Sequence, residues 1–173
     1  MPSDFIMQVR FTLERTPERL RGLVTDAPVE TLAWKPSERE WSVEEVLTHL
    51  VQAEEIFLDR LHSVLRGRDI ESYDQNTKVA ESSTWMVMPT QLMDQFSRAR
   101  IGSLPEVEKV QDDQLGLTVR HRELGPVTMK MLLADWAASD LAHTRQIIKL
   151  LIQPFYRELG PWQRYFTNSA FAG

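Results

Sequence analysis

The stretch from Thr128 to Ile152, TMKMLLADWAASDLAHTRQIIKLLI, decides how this chain is read. At about 100° per residue, Met129, Leu132, Leu133, Trp136, Ala137, Ile147, Leu150 and Leu151 gather into one stripe, which predicts a single long amphipathic helix. Asp140 and His143 fall inside that stripe. A carboxylate and an imidazole one turn apart can touch, and neither is easily buried without a hydrogen-bonded or coordinated partner. Two readings follow: a satisfied core pair in which the carboxylate holds the imidazole, or part of a functional site.

Around this helix the composition is that of one domain. The chain has 173 residues, 42% hydrophobic and 26% charged, enough for one core and too few for two, so a single domain over residues 1–173 is expected. The formal charge of −5, with Lys and Arg scattered among acids, argues against nucleic acid and anionic membrane as partners. There is no cysteine, which removes disulfides, thiolate metal ligands and cysteine nucleophiles. No apolar run reaches the ~20 residues of a membrane span, and MPSDFIMQVR lacks the apolar block of a signal peptide, so a cytoplasmic protein is the expectation.

Three further helices are predicted. Residues 4–24 keep helical spacing through Phe5, Ile6, Val9, Leu13, Leu20 and Leu23, with a bend expected at Thr16-Pro17. Residues 26–40, with Pro28 and Pro36, read as a loop in which Trp34 forms a lid over the end of the bundle. Residues 42–65 open on Ser42-Val43-Glu44-Glu45, a capping box, and run an apolar face through Val43, Val46, Leu47, Leu50, Ala53, Phe57, Leu58, Leu61 and Leu65. Glu54 lies on that face, where it pairs with an arginine or serves chemistry, and His49 lies on its flank. Residues 68–89 read as a long crossover packed down by Trp85, Met86, Val87 and Met88. Residues 90–101 form a shorter helix ended by Gly102 and Pro105; an irregular segment containing His121 then leads to Gly125-Pro126 and the Thr128 cap. After Pro154 the tail can form a short helix before Gly160-Pro161.

Four helices with two long connections predict an all-α four-helix bundle of other than simple up-down-up-down order. Such bundles build metal and ligand sites from inward polar residues on different helices, which makes His49 and His143 potential neighbours. No phosphate-binding glycine loop, dinucleotide fingerprint or serine-histidine-aspartate order offers a competing chemistry.

These residues carry a resemblance. Trp41-Ser42-Val43-Glu44-Glu45-Val46-Leu47-Thr48-His49-Leu50, with Glu54 beyond, resembles the second helix of the DinB-like superfamily. Leu124-Gly125-Pro126-Val127-Thr128, with Leu132-Leu133, Trp136, Ser139-Asp140-Leu141, His143 and Gln146-Ile147, resembles its fourth, and Gly160-Pro161-Trp162 is similar to one branch of the family. The resemblance implies an up-down-down-up bundle, often a homodimer, with three histidines holding a divalent cation such as zinc or nickel. Carried onto this chain, the ligand of the second helix falls on His49 and the last ligand on His143, while the middle one falls on Ser139.

A neutral hydroxyl is a poor ligand where imidazole is a good one, so this centre is expected to hold metal weakly or not at all. Asp140 could supply a carboxylate, although it sits about 100° around the helix from Ser139. His62 is expected to face solvent and His121 to pack over the bundle mouth. Two functions follow. One is a bundle whose degenerate site, with Ser139, Asp140, Glu54 and Gln146 lining a pocket, binds a small polar ligand or metal. The alternative is an active metal-dependent transferase, hydrolase or isomerase, thiol-dependent in some relatives, in which the cation generates a nucleophile at neutral pH.

Overall fold

Hydrophobic periodicity translates directly into helices. The computed structural model describes residues 3–82 and 87–166. They fold as α1 (Asp4–Val24), α2 (Val29–Ala33), α3 (Val43–Leu65), α4 (Gln75–Ser82), α5 (Pro89–Glu108), β1 (Thr118–His121), β2 (Gly125–Thr128) and α6 (Met129–Tyr156), with short 3₁₀ segments at Asp112–Gly116 and Arg157–Tyr165. No helix among the described residues is long and apolar enough to cross a membrane.

The expected start signals operate. Glu45 N–H donates to Ser42 Oγ at 3.2 Å and Ser42 N–H to Glu45 Oε2 at 2.8 Å, closing the capping box of α3. Thr128 Oγ1 accepts from Met131 N–H at 3.1 Å at the head of α6.

The directions of the four long helices can be read from their buried residues, which form two apolar clusters. One collects Val9 and Leu13 of α1, Phe57, Leu61 and Val64 of α3, Val107 of α5, and Met129, Leu133 and Trp136 of α6. The other collects Leu20 and Val24, Val43 to Leu50, Leu92 to Phe96, and Ile147 with Leu150. Thus α1 and α6 run from the first cluster to the second, and α3 and α5 run back. The order is up-down-down-up. Each long helix packs on two others, α1 and α3 both lying against α5 and α6. The connection between the parallel α3 and α5 must travel the length of the bundle, which is why it is long enough to hold α4.

Besides α2 and α4, short helices inside segments expected to be a loop and a crossover, three features depart from the expectation. Helix α5 passes Gly102 and Pro105 and continues to Glu108. Pro105 takes away the helical partner of the Ile101 carbonyl, but Ile101 faces water, and burial of Ser103 and Val107 on the following turns holds the helix together. The irregular segment contains an antiparallel hairpin in which Val119 faces Val127 and His121 faces Gly125, with Gly125 at φ +78° where the turn requires a left-handed residue. Ile70 pins the start of the crossover to it, donating to Arg120 O at 2.9 Å and accepting from Arg122 N–H at 3.0 Å. Helix α6 runs on through Pro154 to Tyr156. In the crossover Val87 packs on the second cluster while Met88, the N-terminal cap of α5, is half exposed; Trp85 and Met86 lie outside the described residues.

Candidate functional site

Between the two apolar clusters lies a charged layer. Arg100 of α5 is 1% exposed and reaches carboxylates on two other helices. Its Nη1 donates to Asp140 Oδ2 at 2.7 Å and its Nη2 to Asp140 Oδ1 at 3.0 Å, a two-pronged contact, while Nη2 also donates to Glu54 Oε1. Glu54 further accepts from Trp136 Nε1 at 2.9 Å and from Ser103 Oγ at 2.7 Å.

One link begins with a proline. Pro17 has no N–H, so the Leu13 carbonyl, in a residue with no exposed surface, loses its helical donor, and Arg100 Nη1 donates to that oxygen instead. Burial by itself would lower the Arg100 pKa, but the hydrogen bonds and charges of Asp140 and Glu54 outweigh it and hold the guanidinium charged. Burial pushes the Asp140 carboxyl up against the pull of Arg100, and the nearby Glu54 charge adds to the rise.

One layer further toward the second cluster the two predicted imidazoles meet. His49 of α3, 4% exposed, and His143 of α6, half-buried, have ring centroids 4.6 Å apart at an interplanar angle of 64°. Trp41, placed at the head of α3 beside the capping box, lies 5.1 Å from the His49 ring and 6.2 Å from that of His143. Tyr73 of the crossover lies 6.4 Å from His49 on another side. Its position is fixed by Gln52, which accepts from Tyr73 Oη at 3.2 Å and donates to Ser82 Oγ at 2.6 Å and Lys78 O at 3.1 Å, clamping the crossover to α3.

Burial lowers the His49 pKa to about 4, and the adjacent His143 adds to the effect. Burial also lowers that of His143, against the hydrogen bond of Gln146 and the charge of Asp140. Both rings are therefore neutral at pH 7, the form that ligates metals. His143 Nδ1 lies 3.0 Å from Gln146 Oε1; with the amide oxygen accepting, Nδ1 carries the proton and Nε2 keeps its lone pair. His49 Nδ1 is buried with no hydrogen-bond partner among the described residues. A buried ring nitrogen left without a partner costs about 1–3 kcal/mol, and a cation would relieve that cost.

The donor set thus suits a divalent ion with two imidazole ligands. Among the described residues no group of three His, Cys, Asp or Glu side chains could hold one. Ser139 stands one turn before His143 on α6, partly buried. His143 and Gln146 open onto a cavity of about 780 Å³ whose wall includes Trp34, Trp41, Lys149 and Tyr156. Trp34, expected as a lid, is part of that wall.

Several site expectations are redrawn by this geometry. Asp140 is not the hydrogen-bond partner of His143: both its oxygens bind Arg100, while His143 turns to Gln146, because a guanidinium offers two charged donors and a neutral ring offers one. Asp140 is therefore not free to replace a missing metal ligand. Glu54 takes the arginine partner that its place on an apolar face suggested, and both acids lie in the buried layer, away from the cavity wall. His62 is half-buried, 3.5 Å from Glu106 Oε2. His121 is buried in the hairpin, its Nδ1 accepting from Glu123 and Leu124 N–H at 3.2 and 3.3 Å.

Arg100 is the residue that sequence reading passed over. It follows Met93 by seven residues and Phe96 by four, which is core spacing, but a helix expected to end at Ile101 left it looking like a solvated end residue.

Comparison with known proteins places this architecture. The family model of the DinB superfamily matches residues 12–147. Among solved structures the chain is similar to YfiT from Bacillus subtilis, described as "a probable metal-dependent hydrolase with an unusual four-helix bundle topology", with a TM-score of 0.78 at 16% identity over 92% of this chain and 90% of that one. No curated protein sequence matches the chain.

Proposed function

Given that the chain belongs to the DinB superfamily, we propose that it is a bundle with a reduced divalent-metal centre, in which His49 and His143 are the imidazole ligands and Ser139 stands where relatives carry a third histidine. The observation that carries this reading is that two neutral imidazoles from positions 94 residues apart (143 − 49) bring their ring centroids to 4.6 Å, with His143 opening onto a cavity that has room for a small polar molecule. YfiT, itself described as "a probable metal-dependent hydrolase", lends the reading support through shared fold alone.

A bound cation would supply Lewis acidity and lower the pKa of a coordinated water or thiol. The chain's own residues do the rest. Gln146 fixes the His143 tautomer, Trp41 and Tyr73 wall the rings from bulk water, and the Arg100 layer holds α3, α5 and α6 in register beneath them. With a hydroxyl in place of the third imidazole, affinity is low and the cavity serves a weakly held ion or a small polar ligand.

Metal analysis of protein purified without a histidine tag tests this. Well under one equivalent of zinc or nickel is expected in the wild type, and Ser139→His should raise the occupancy. A full equivalent in the wild type would instead support the active metalloenzyme.

A further inference from the structure

The cavity beside His143 has a charge and a lining of its own. Part of its wall is a face of α6, where His143, Gln146, Leu150 and Gln153 follow one another at intervals of three and four residues. Lys149 stands on the flank of that face, six positions past His143 (149 − 143) and so about 9 Å further along the helix axis. The segment between α2 and α3 supplies Trp34, Arg39, Glu40 and Trp41. Two contacts hold that segment in place: Lys35 Nζ lies 2.8 Å from Glu45 Oε1 at the head of α3, and Ser37 Oγ donates to Glu40 Oε2 at 2.9 Å. The chamber is therefore shaped in advance of any ligand.

Three half-buried rings from separate segments line it: Trp34 at the end of α2, Trp41 before α3, and Tyr156 at the end of α6. Trp34 and Tyr156 stack on no other ring among the described residues. Aromatic surface with a few polar groups set into it suits a ligand with a flat apolar body. The charged groups specify the other end of that ligand. Arg39 and Lys149 share the wall with one carboxylate, Glu40, which Ser37 engages, while Arg39 has no ion pair among the described residues. One positive charge in excess matches a monoanion, whereas a phosphate dianion would keep a charge unmatched. A carboxylate also fits the two-pronged geometry of a guanidinium.

We propose that the cavity takes a small monocarboxylate with a planar apolar body, its carboxylate held by Arg39 and Lys149, its body against Trp34 and Trp41, and its far end at His143. The inference rests on the reading that this cavity serves the His49 and His143 pair, and it adds the class of molecule brought there. The spacing along α6 sets the length of that molecule. An anion at Lys149 puts a group about 9 Å away beside the imidazoles, which is the reach of one ring with a short unsaturated arm.

Equilibrium dialysis of the full chain in chelator, where no carboxylate gains by coordinating a metal, tests this with three probes: trans-cinnamate, its uncharged counterpart cinnamyl alcohol, and acetate. At low salt cinnamate should bind at least about tenfold more tightly than the alcohol, the worth of a charged hydrogen-bond partner, and acetate should bind far more weakly than either. In an Arg39→Met, Lys149→Met variant the two cinnamyl compounds should bind alike, at the alcohol's affinity. Trp34→Leu should weaken both by the same factor, and helical circular dichroism should be unchanged in each variant. Equal affinities for cinnamate and the alcohol in the wild type, a carboxylate preference that survives loss of both cations, or acetate binding as tightly as cinnamate overturns the proposal. Zinc titration reads the metal separately. Zinc binding without cinnamate selectivity ends this inference alone, and cinnamate selectivity without zinc binding ends the metal reading and leaves the ligand class standing.

Discussion

Replacing Arg100 by Met keeps the aliphatic volume and removes the buried guanidinium that joins α5 to the carboxylates of α3 and α6. Three groups lose a donor at once: the Asp140 carboxylate, the Glu54 oxygen that Nη2 shares with Trp136, and the Leu13 carbonyl orphaned by Pro17. Breaking a buried ion pair from one side costs about 3–5 kcal/mol, and an unsatisfied buried carbonyl about 1–3 more, with the two overlapping, so a loss of about 4–6 kcal/mol is expected at pH 7. For a domain of this size that is about 8–24 °C in Tm.

The loss depends on pH, and its sign follows from Asp140. Burial already raises that carboxyl above its ordinary value, and without the guanidinium it rises further. A folded-state pKa above the unfolded one contributes stability that is present below the unfolded value of about 3.9 and lost as pH climbs through the folded value. The deficit of the variant relative to wild type should therefore be smallest near pH 4 and grow toward pH 7. Adding Glu54→Gln, whose amide oxygen accepts from Trp136 while its NH2 donates to Ser103 Oγ, and Asp140→Asn removes both unpaired charges and should recover about 2 kcal/mol or more. Urea unfolding at both pH values measures all of this. An unchanged Tm, or a deficit equal at pH 4 and pH 7, refutes the reasoning.

Other expectations follow from the same geometry. His143→Ala should cost under about 1 kcal/mol in thermal melts, since Asp140 keeps Arg100; a loss of several would mean that the ring supports the core. With chelator present, the His49 pKa of about 4 means that the unfolded chain binds a proton the folded chain does not, so stability should fall by up to about 3 kcal/mol as pH drops from about 6.5 toward 4. His49→Gln should flatten that slope, and an unaltered slope would assign the dependence to another group. His121→Ala should weaken the hairpin by about 1 kcal/mol through its two lost turn hydrogen bonds, seen as faster amide exchange at Glu123 and Leu124.

The bundle was legible because its information is local. The capping box at Ser42 and the 3.6-residue stripes of α1, α3 and α6 each fix an element without help from the rest of the chain. The meeting of His49 and His143 was legible for the same reason, each falling on or beside an apolar face that could point only inward. What local reading could not supply was the third helix's contribution. Gly102 and Pro105 carry stop signals that hold for an isolated helix, yet here burial of Ser103 and Val107 overrides them, and the shortened helix hid Arg100. Once Arg100 is missing, Asp140 has no better partner than the nearest imidazole, so one boundary error produced one pairing error. The hairpin escaped for a different reason: four-residue strands whose register rests on a histidine-held turn and a bridge to Ile70 have too short a pattern to register as alternation.

The central claim is that two imidazoles from α3 and α6 form a divalent site lacking its third ligand. Zinc titration by calorimetry on the untagged, chelator-treated protein tests it most directly. Weak binding, in the micromolar range or above, is expected, abolished by His49→Ala and by His143→Ala and strengthened at least about tenfold by Ser139→His, since even an outer-shell partner is worth that much. Nanomolar stoichiometric zinc that survives loss of either histidine would contradict the account.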